Sequence, residues 1–417
     1  MRSFLSGTLV FFLSSVPCFS GLAASLEEAF WPQFRGIHRD GISRETGLLQ
    51  AWPPEGPPLL WSFDACGIGY AGVSIAEGKI FTAGDFQNEE RILALDMKGH
   101  LLWQAVHGRA WRGSTPGSRA TPTYKDGWLF HMNPTGLLSA FQAQDGQKIW
   151  SVDLSERFGA RYGTWALAEN VLVEDQMVFC LPGGKEAFAV ALDKRSGEPI
   201  WVNKDVDERA AYCSPCLVTH QGVRLLITLS HRSVVCLDAD TGQLLWSHPF
   251  GRVWQNTTIP VFHEGHVFVT CGHSSGGLLL KIHQDLKGVD RVWFREDFDN
   301  CHGGVILLDR VLVGSGCRLG GKAFFGVDFH TGQTRFSTKD LDKVSILYAD
   351  ERLYCLDNQR KVSLVSLRED GLDIVSQFEL PKTSKEESLC HPVVCGKRLY
   401  LRHDETLFVY DIEDPSR

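Results

Sequence analysis

The sequence predicts an all-β chain folded as an eight-bladed β-propeller with four-stranded antiparallel blades, and three observations carry that prediction. A short pattern closing on Trp recurs along the chain. Between its copies lie paired apolar segments joined by Gly turns. The chain also ends on three strands and begins with one strand able to complete them. Self-similarity at a period of about 40–45 residues with four strands per unit is the mark of propeller blades.

The repeat is clearest in "CLDADTGQLLW", Cys236 to Trp246. Related stretches end at Trp103, Trp150, Trp201, Trp293 and Phe336, and a weaker one at Phe378. Counted from Trp61 in "PPLLWSF", successive copies are 42 to 51 residues apart. Each reads as strand, turn, strand. Asp bonds the following backbone N–H groups, and Gly accepts positive φ. The Trp supplies a large apolar face and one N–H donor, so it docks one blade on the next. Trp61, Trp103, Trp150, Trp201, Trp246 and Trp293 are therefore structural residues.

Segments such as "TPTYKDGWLFHM", "IPVFHEGHVFVTC" and "HPVVCGKRLYLRH" fill the intervals. Their alternation and Gly turns predict the two inner strands of each blade. The last unit, from "LCHPVV", has three strands, and "LLWSF" at residues 59–63 supplies the fourth. Such closure leaves no open edge between the first and last blades. A seven-bladed ring is the alternative if the Phe378 unit is not a blade.

The organisation expected is a signal peptide over 1–24, an extended arm over 25–57, the propeller over 58–412 and a tail over 413–417. Arg2, the apolar run from Phe4 to Val16 and the small residues after it have the layout of an export signal, with cleavage between Ser20 and Ala24. The run is short for a membrane span. A lipid anchor at Cys18 is disfavoured by Pro17. An exported chain meets an oxidising compartment. Twelve cysteines less Cys18 leave an odd number, so at least one stays unpaired. Trp31, Phe34 and Trp52 are the residues that pack the Pro- and Gly-rich arm onto the propeller. A net charge of −8 and 22% charged residues argue against a nucleic-acid footprint. A monomer is expected.

The A-x-D-x-x-x-G-x-x-x-W pattern, met in full by "ALDKRSGEPIW" from Ala191 to Trp201, resembles the docking repeat of the pyrroloquinoline quinone (PQQ) propeller superfamily. The resemblance spans roughly residues 58 to 412 and implies the propeller fold. It admits two activities. Quinoprotein dehydrogenases use PQQ, calcium and an Asp base, and many carry a vicinal disulfide. This sequence has no adjacent Cys pair and no convergent calcium ligand set. BamB-like propellers of the outer-membrane assembly machinery are non-catalytic and bind proteins. The lead-in "WPQFRGIHRDGISRETGLLQAWPPEGPPLLW" is similar to that of secreted PQQ-repeat-like proteins.

Residues at the start of each innermost strand face the channel mouth. On that reading Tyr70, Arg119, Arg161, Tyr162, Tyr212, Trp254, Asn256 and His302 form a ligand or partner surface, with the aromatic and Arg content that recognition patches use. The alternative is that these side chains fill the channel. Cys213, Cys301 and Cys390 fall in different blades, so "CSPC", "NCHGG" and "LCHP" do not gather the four ligands that zinc needs. Cys213 and Cys216 would also point to opposite faces of a strand. "GSGCRLGG" lies in a hairpin, which makes it a turn and not a phosphate loop. No catalytic triad order or HExxH motif is present, and no catalytic residue or metal site is assigned. The expected role is non-catalytic binding of a protein or extended ligand in the periplasm or outside the cell, without cofactor. The alternatives are a PQQ- and calcium-dependent alcohol or sugar dehydrogenase, and a polysaccharide-binding module.

Overall fold

The computed structural model describes residues 28–250, 255–273, 275–317 and 323–416. The expected signal peptide and Cys18 lie outside these residues, as does Trp254. Eight four-stranded antiparallel sheets form eight blades. They span residues 74–109, 123–153, 172–203, 216–249, 261–295, 306–338 and 345–379, with the eighth made by 393–411. The strand Leu59–Phe63 pairs with Thr406–Asp411 and completes blade 8. The Phe378 unit is a full blade, so the ring has eight and not seven. A one-turn helix, Leu154–Phe158, links blades 2 and 3, capped by Asp153 at its start and Gly159 at its end.

The repeat residues act as their chemistry dictates. Asp238 accepts from the N–H groups of Asp240 and Thr241 at 2.9 and 3.0 Å, and Asp193 does the same for Arg195 and Ser196. The turn Gly has a second reason to lack a side chain. A Cβ on Gly242 would meet the Trp201 ring at 2.5 Å, and one on Gly146 would meet Trp103 at 2.6 Å. Each Trp thus lies flat on the turn of the following blade. The indoles of Trp61, Trp103, Trp150, Trp201 and Trp293 donate to carbonyls of that turn at 2.8 to 3.3 Å. Opposite the Trp of blades 1 to 5, and opposite Phe336 of blade 6, the strand pairing slips by one residue. This bulge swings the ring out toward the next blade.

Trp246 departs from the pattern. It is buried, but its indole N–H has no acceptor. In the turn it faces, Gly288 packs against the His283 ring instead of a Trp.

The arm does more than coat the surface. Trp31 exchanges two 2.8 Å backbone bonds with Ile75 on the innermost strand of blade 1. The chain then turns at Gly36 and Gly41 and bridges to Tyr348 of blade 7. Between these points it crosses the channel. Arg35 donates to the carbonyls of Asp40 and Val305, both at 2.8 Å. Arg39 donates to those of Asn170 and Val171 at 2.7 and 3.2 Å. Both guanidiniums are buried, which lowers each to about 10, so they stay charged at neutral pH. The arm leaves along blades 7 and 8, where Trp52 meets Tyr354 and Phe378 and Leu48 bridges to Glu413.

Candidate functional site

Because the arm plugs the channel, each mouth is a separate concavity. One mouth is a funnel of about 660 Å³, formed by the segments that lead into the innermost strands. A hydrogen-bond chain fixes these segments from blade to blade. Gly72 N–H donates to Thr121 Oγ1 at 3.1 Å, Thr121 N–H to Asn170 Oδ1 at 2.6 Å, and Asn170 N–H to Ser214 Oγ at 2.8 Å. These residues occupy one position of the repeat in successive blades. The funnel rim is thereby built on rigid elements, although its segments are loops.

Of the predicted residues, Tyr70, Arg119, Tyr212 and His302 line the funnel together. Tyr70 donates from its hydroxyl to Glu386 at 3.3 Å. Arg119 is held by the carbonyls of Ser114, Thr115 and Gly117 and stacks over Trp111 at 5.7 Å. Burial lowers it to about 10. Tyr212 meets Trp165 edge-on at 5.5 Å. His302 is lowered to about 4 by burial, so it is neutral at physiological pH.

The other predictions land elsewhere. Arg161 pairs with Asp207 on the exposed surface, and Tyr162 packs on the core between blades 2 and 3. Asn256 is buried and bonds the Ser230 carbonyl at 2.6 Å, with Cys271 on its amide oxygen. The funnel is instead lined by Asn256's neighbours Gln255 and Thr257, and by Trp165, three residues beyond Tyr162. Lys343, Glu386 and Glu387 add charge, and Phe34 brings the arm to the funnel beside His391 at 4.9 Å. His391 Nε2 donates to the His302 carbonyl at 2.8 Å. Lys343 sits in a segment that the repeat had already marked; Glu386 and Glu387 lie on a long connection without a repeat signal.

Cys301, on the funnel wall, forms a disulfide with Cys317. Cys213 faces the core between blades 4 and 5, while Cys216 reaches the opposite mouth. Cys66, Cys180, Cys213, Cys216, Cys236, Cys355, Cys390 and Cys395 are free thiols, and burial raises Cys66 and Cys213 to about 11. The opposite mouth, about 1390 Å³, is lined by the arm and by charged residues held in pairs. These include Lys125 with Glu174 at 3.1 Å and Arg224 with Asp175 at 2.6 Å.

A calcium-held quinone would need several oxygens converging on one point. Among the described residues, the carboxylates on the funnel wall are Glu386 and Glu387, neighbours on one exposed loop. One is engaged by Tyr70 and the other by Asn358. Asn170 is committed to Thr121 and Ser214. This donor set does not fit such a cofactor.

Fold and funnel together define a Trp-docked, eight-bladed propeller with a concavity at each end of a plugged axis. The family model described as outer membrane protein assembly factor BamB matches residues 88–338, and the chain belongs to that family. The outer membrane protein assembly factor BamB of Burkholderia pseudomallei (strain K96243) is 26% identical over 245 residues, 53% of this chain and 56% of that protein. The chain thus spans about half the length of the curated relative it matches. BamB from Moraxella catarrhalis shares the fold with a TM-score of 0.59 at 16% identity, over 85% of this chain and 97% of that one. Quinohemoprotein alcohol dehydrogenase from Comamonas testosteroni does so with a TM-score of 0.65 at 10% identity, over 94% and 82%. At these identities the likeness is one of fold. Among the described residues no helix is long and apolar enough to cross a membrane.

Proposed function

We propose that this chain is an exported, non-catalytic propeller that docks an extended segment of a partner protein in the funnel. The observation that carries the reading is the funnel's composition. Trp165, Tyr70 and Tyr212 stand among Arg119, Lys343, Glu386 and Glu387. Aromatic surface mixed with both signs of charge suits a polypeptide, since aromatics provide contact area and charges select register. The funnel is rigidly framed, so binding would cost little ordering on this side. Membership of the BamB family supports a protein partner over a polysaccharide.

The test is site-specific photocrosslinking on the full mature protein in envelope extract. A crosslinker replacing Tyr212 is expected to give discrete protein adducts, lost when Arg119→Glu and Trp165→Ala are added. The same probe replacing Thr219 at the opposite mouth is expected to give none. Equal adducts from both mouths would sink the reading. Calcium-dependent saturation of Trp fluorescence by PQQ would favour the dehydrogenase instead.

A further inference from the structure

The interface between blades 1 and 2 holds a cluster that the funnel does not use. Glu90, His107 and His131 are all fully buried, and their ligating atoms lie within 4.8 Å of one another. Glu90 Oε2 is 3.1 Å from His107 Nδ1, and Glu90 Oε1 is 3.4 Å from His131 Nε2. The second contact lacks hydrogen-bond geometry, and Oε1 has no other partner. His107 Nε2 and both ring nitrogens of His131 are likewise buried without hydrogen bonds.

The sheet explains how these groups meet. Glu90 stands opposite Asp85 in the pairing of the second and third strands of blade 1. An irregularity in the next pairing, between Glu89 and Arg91, brings His107 of the outermost strand to the same place. His131 approaches from blade 2, its ring centroid 5.0 Å from that of His107. Asp85 also has a buried oxygen, Oδ1, without a partner.

Leaving so many polar atoms buried and unpaired is costly, since each has lost its water without gaining a partner. A carboxylate between two imidazoles with free lone pairs has an obvious remedy. In a tetrahedral site with bonds of about 2.0–2.1 Å, ligand atoms stand roughly 3.3 Å apart. The two Glu90 contacts have that spacing. Two His and one carboxylate match nitrogen- and oxygen-liganded transition metals and not calcium.

We propose that Glu90, His107 and His131 bind one divalent transition-metal ion of the zinc class, stapling blade 1 to blade 2. The site is fully buried, so the ion is structural and enters as the chain folds.

The experiment is to refold the full mature chain from denaturant with cobalt(II), with zinc(II), or with chelator, under oxidising conditions that keep the Cys301–Cys317 bond. Metal content after gel filtration and the visible spectrum are then read. One cobalt per chain is expected, with visible bands of nitrogen and oxygen ligation and no sulfur-to-metal charge-transfer band. Zinc is expected to displace it and to raise the melting temperature over the chelator sample. Glu90→Gln and His131→Asn should each lose the ion. Native wild-type protein that retains no metal would overturn the proposal, whatever the variants do. So would cobalt retained equally by Glu90→Gln, or a sulfur-to-metal band, which would place the ion on cysteine thiolates away from this cluster.

Discussion

The perimeter and the axis of this propeller are stabilised by opposite means. At the perimeter one device recurs: a Trp on a bulged strand lies over the next blade's turn Gly and donates to another carbonyl of that turn. At the axis a hydrogen-bond chain links one repeat position from Gly72 through Thr121 and Asn170 to Ser214, but what fills the channel does not recur. A single arm crosses the channel and holds carbonyls of blades 3 and 6 through two buried guanidiniums. The difference teaches that the blades are interchangeable where they touch each other and individual where they face the channel.

Breaking the perimeter should have the largest effect. Trp201→Ala removes a buried ring and its bond together and should cost about 3–5 kcal/mol in denaturant unfolding. Breaking the axis should cost somewhat less. Arg39→Met leaves the Asn170 carbonyl unpaired, while that of Val171 keeps the Thr123 hydroxyl at 2.9 Å, a loss of about 1–3 kcal/mol, and should widen the opening between the two mouths. A fall in stability as large as that for Trp201→Ala would mean that the arm, and not the blade contacts, closes the ring.

The axis also predicts a pH effect that the perimeter lacks. Glu169 is buried, which raises its carboxyl to about 8, with the Leu181 N–H and nearby Arg39 only partly opposing this. Its folded pKa exceeds its unfolded one, so the native state holds the extra proton between about pH 4.5 and pH 8. This group's contribution is therefore fully present below the unfolded value and is lost as pH rises through the folded value. Glu169→Gln should remove that slope, read as the difference between unfolding free energies of wild type and variant at pH 5 and pH 8. A pH-independent difference would show the carboxyl to be ionised throughout.

Smaller effects sharpen the comparison. Trp201→Phe deletes an indole bond that Trp246→Phe does not have to lose. The first should be the more destabilising by about 1 kcal/mol in paired thermal melts. Arg161→Ala breaks an exposed ion pair with Asp207 and should change stability by no more than about 0.5 kcal/mol.

The perimeter was legible in the sequence because its chemistry is local. Asp, Gly and Trp sit within one hairpin, and each states its own role. The closing strand was legible from arithmetic: three strands at one end call for one at the other. The axis was only half legible. The segments entering the innermost strands could be found from the repeat, but not which side chain in each turns inward. Tyr162 was chosen where Trp165 lines the funnel, and Asn256 where its two neighbours do, because these segments are loops without a fixed alternation. Arg35 and Arg39 carry no repeat signal, and nothing sets them apart in an arm expected to pack onto the propeller through Trp31, Phe34 and Trp52. Only the ring's curvature, set by all eight blades, brings that arm to the axis. The bond between Cys301 and Cys317 was likewise invisible, as spacing alone does not choose among the cysteines.

The pairing of Leu59–Phe63 with Thr406–Asp411 has a consequence in time. Leu59–Phe63 is synthesised long before Thr406–Asp411, so it stays unpaired until that strand has been made. Until then the arm has no finished channel to enter, and its Trp31, Trp52 and buried arginines stay in water. A chain stopped anywhere short of Asp411 would leave the ring ajar and its beginning homeless. Synthesis of Thr406–Asp411 is thus itself the event that locks the ring, and a copy lacking that strand keeps the arm's aromatic residues exposed.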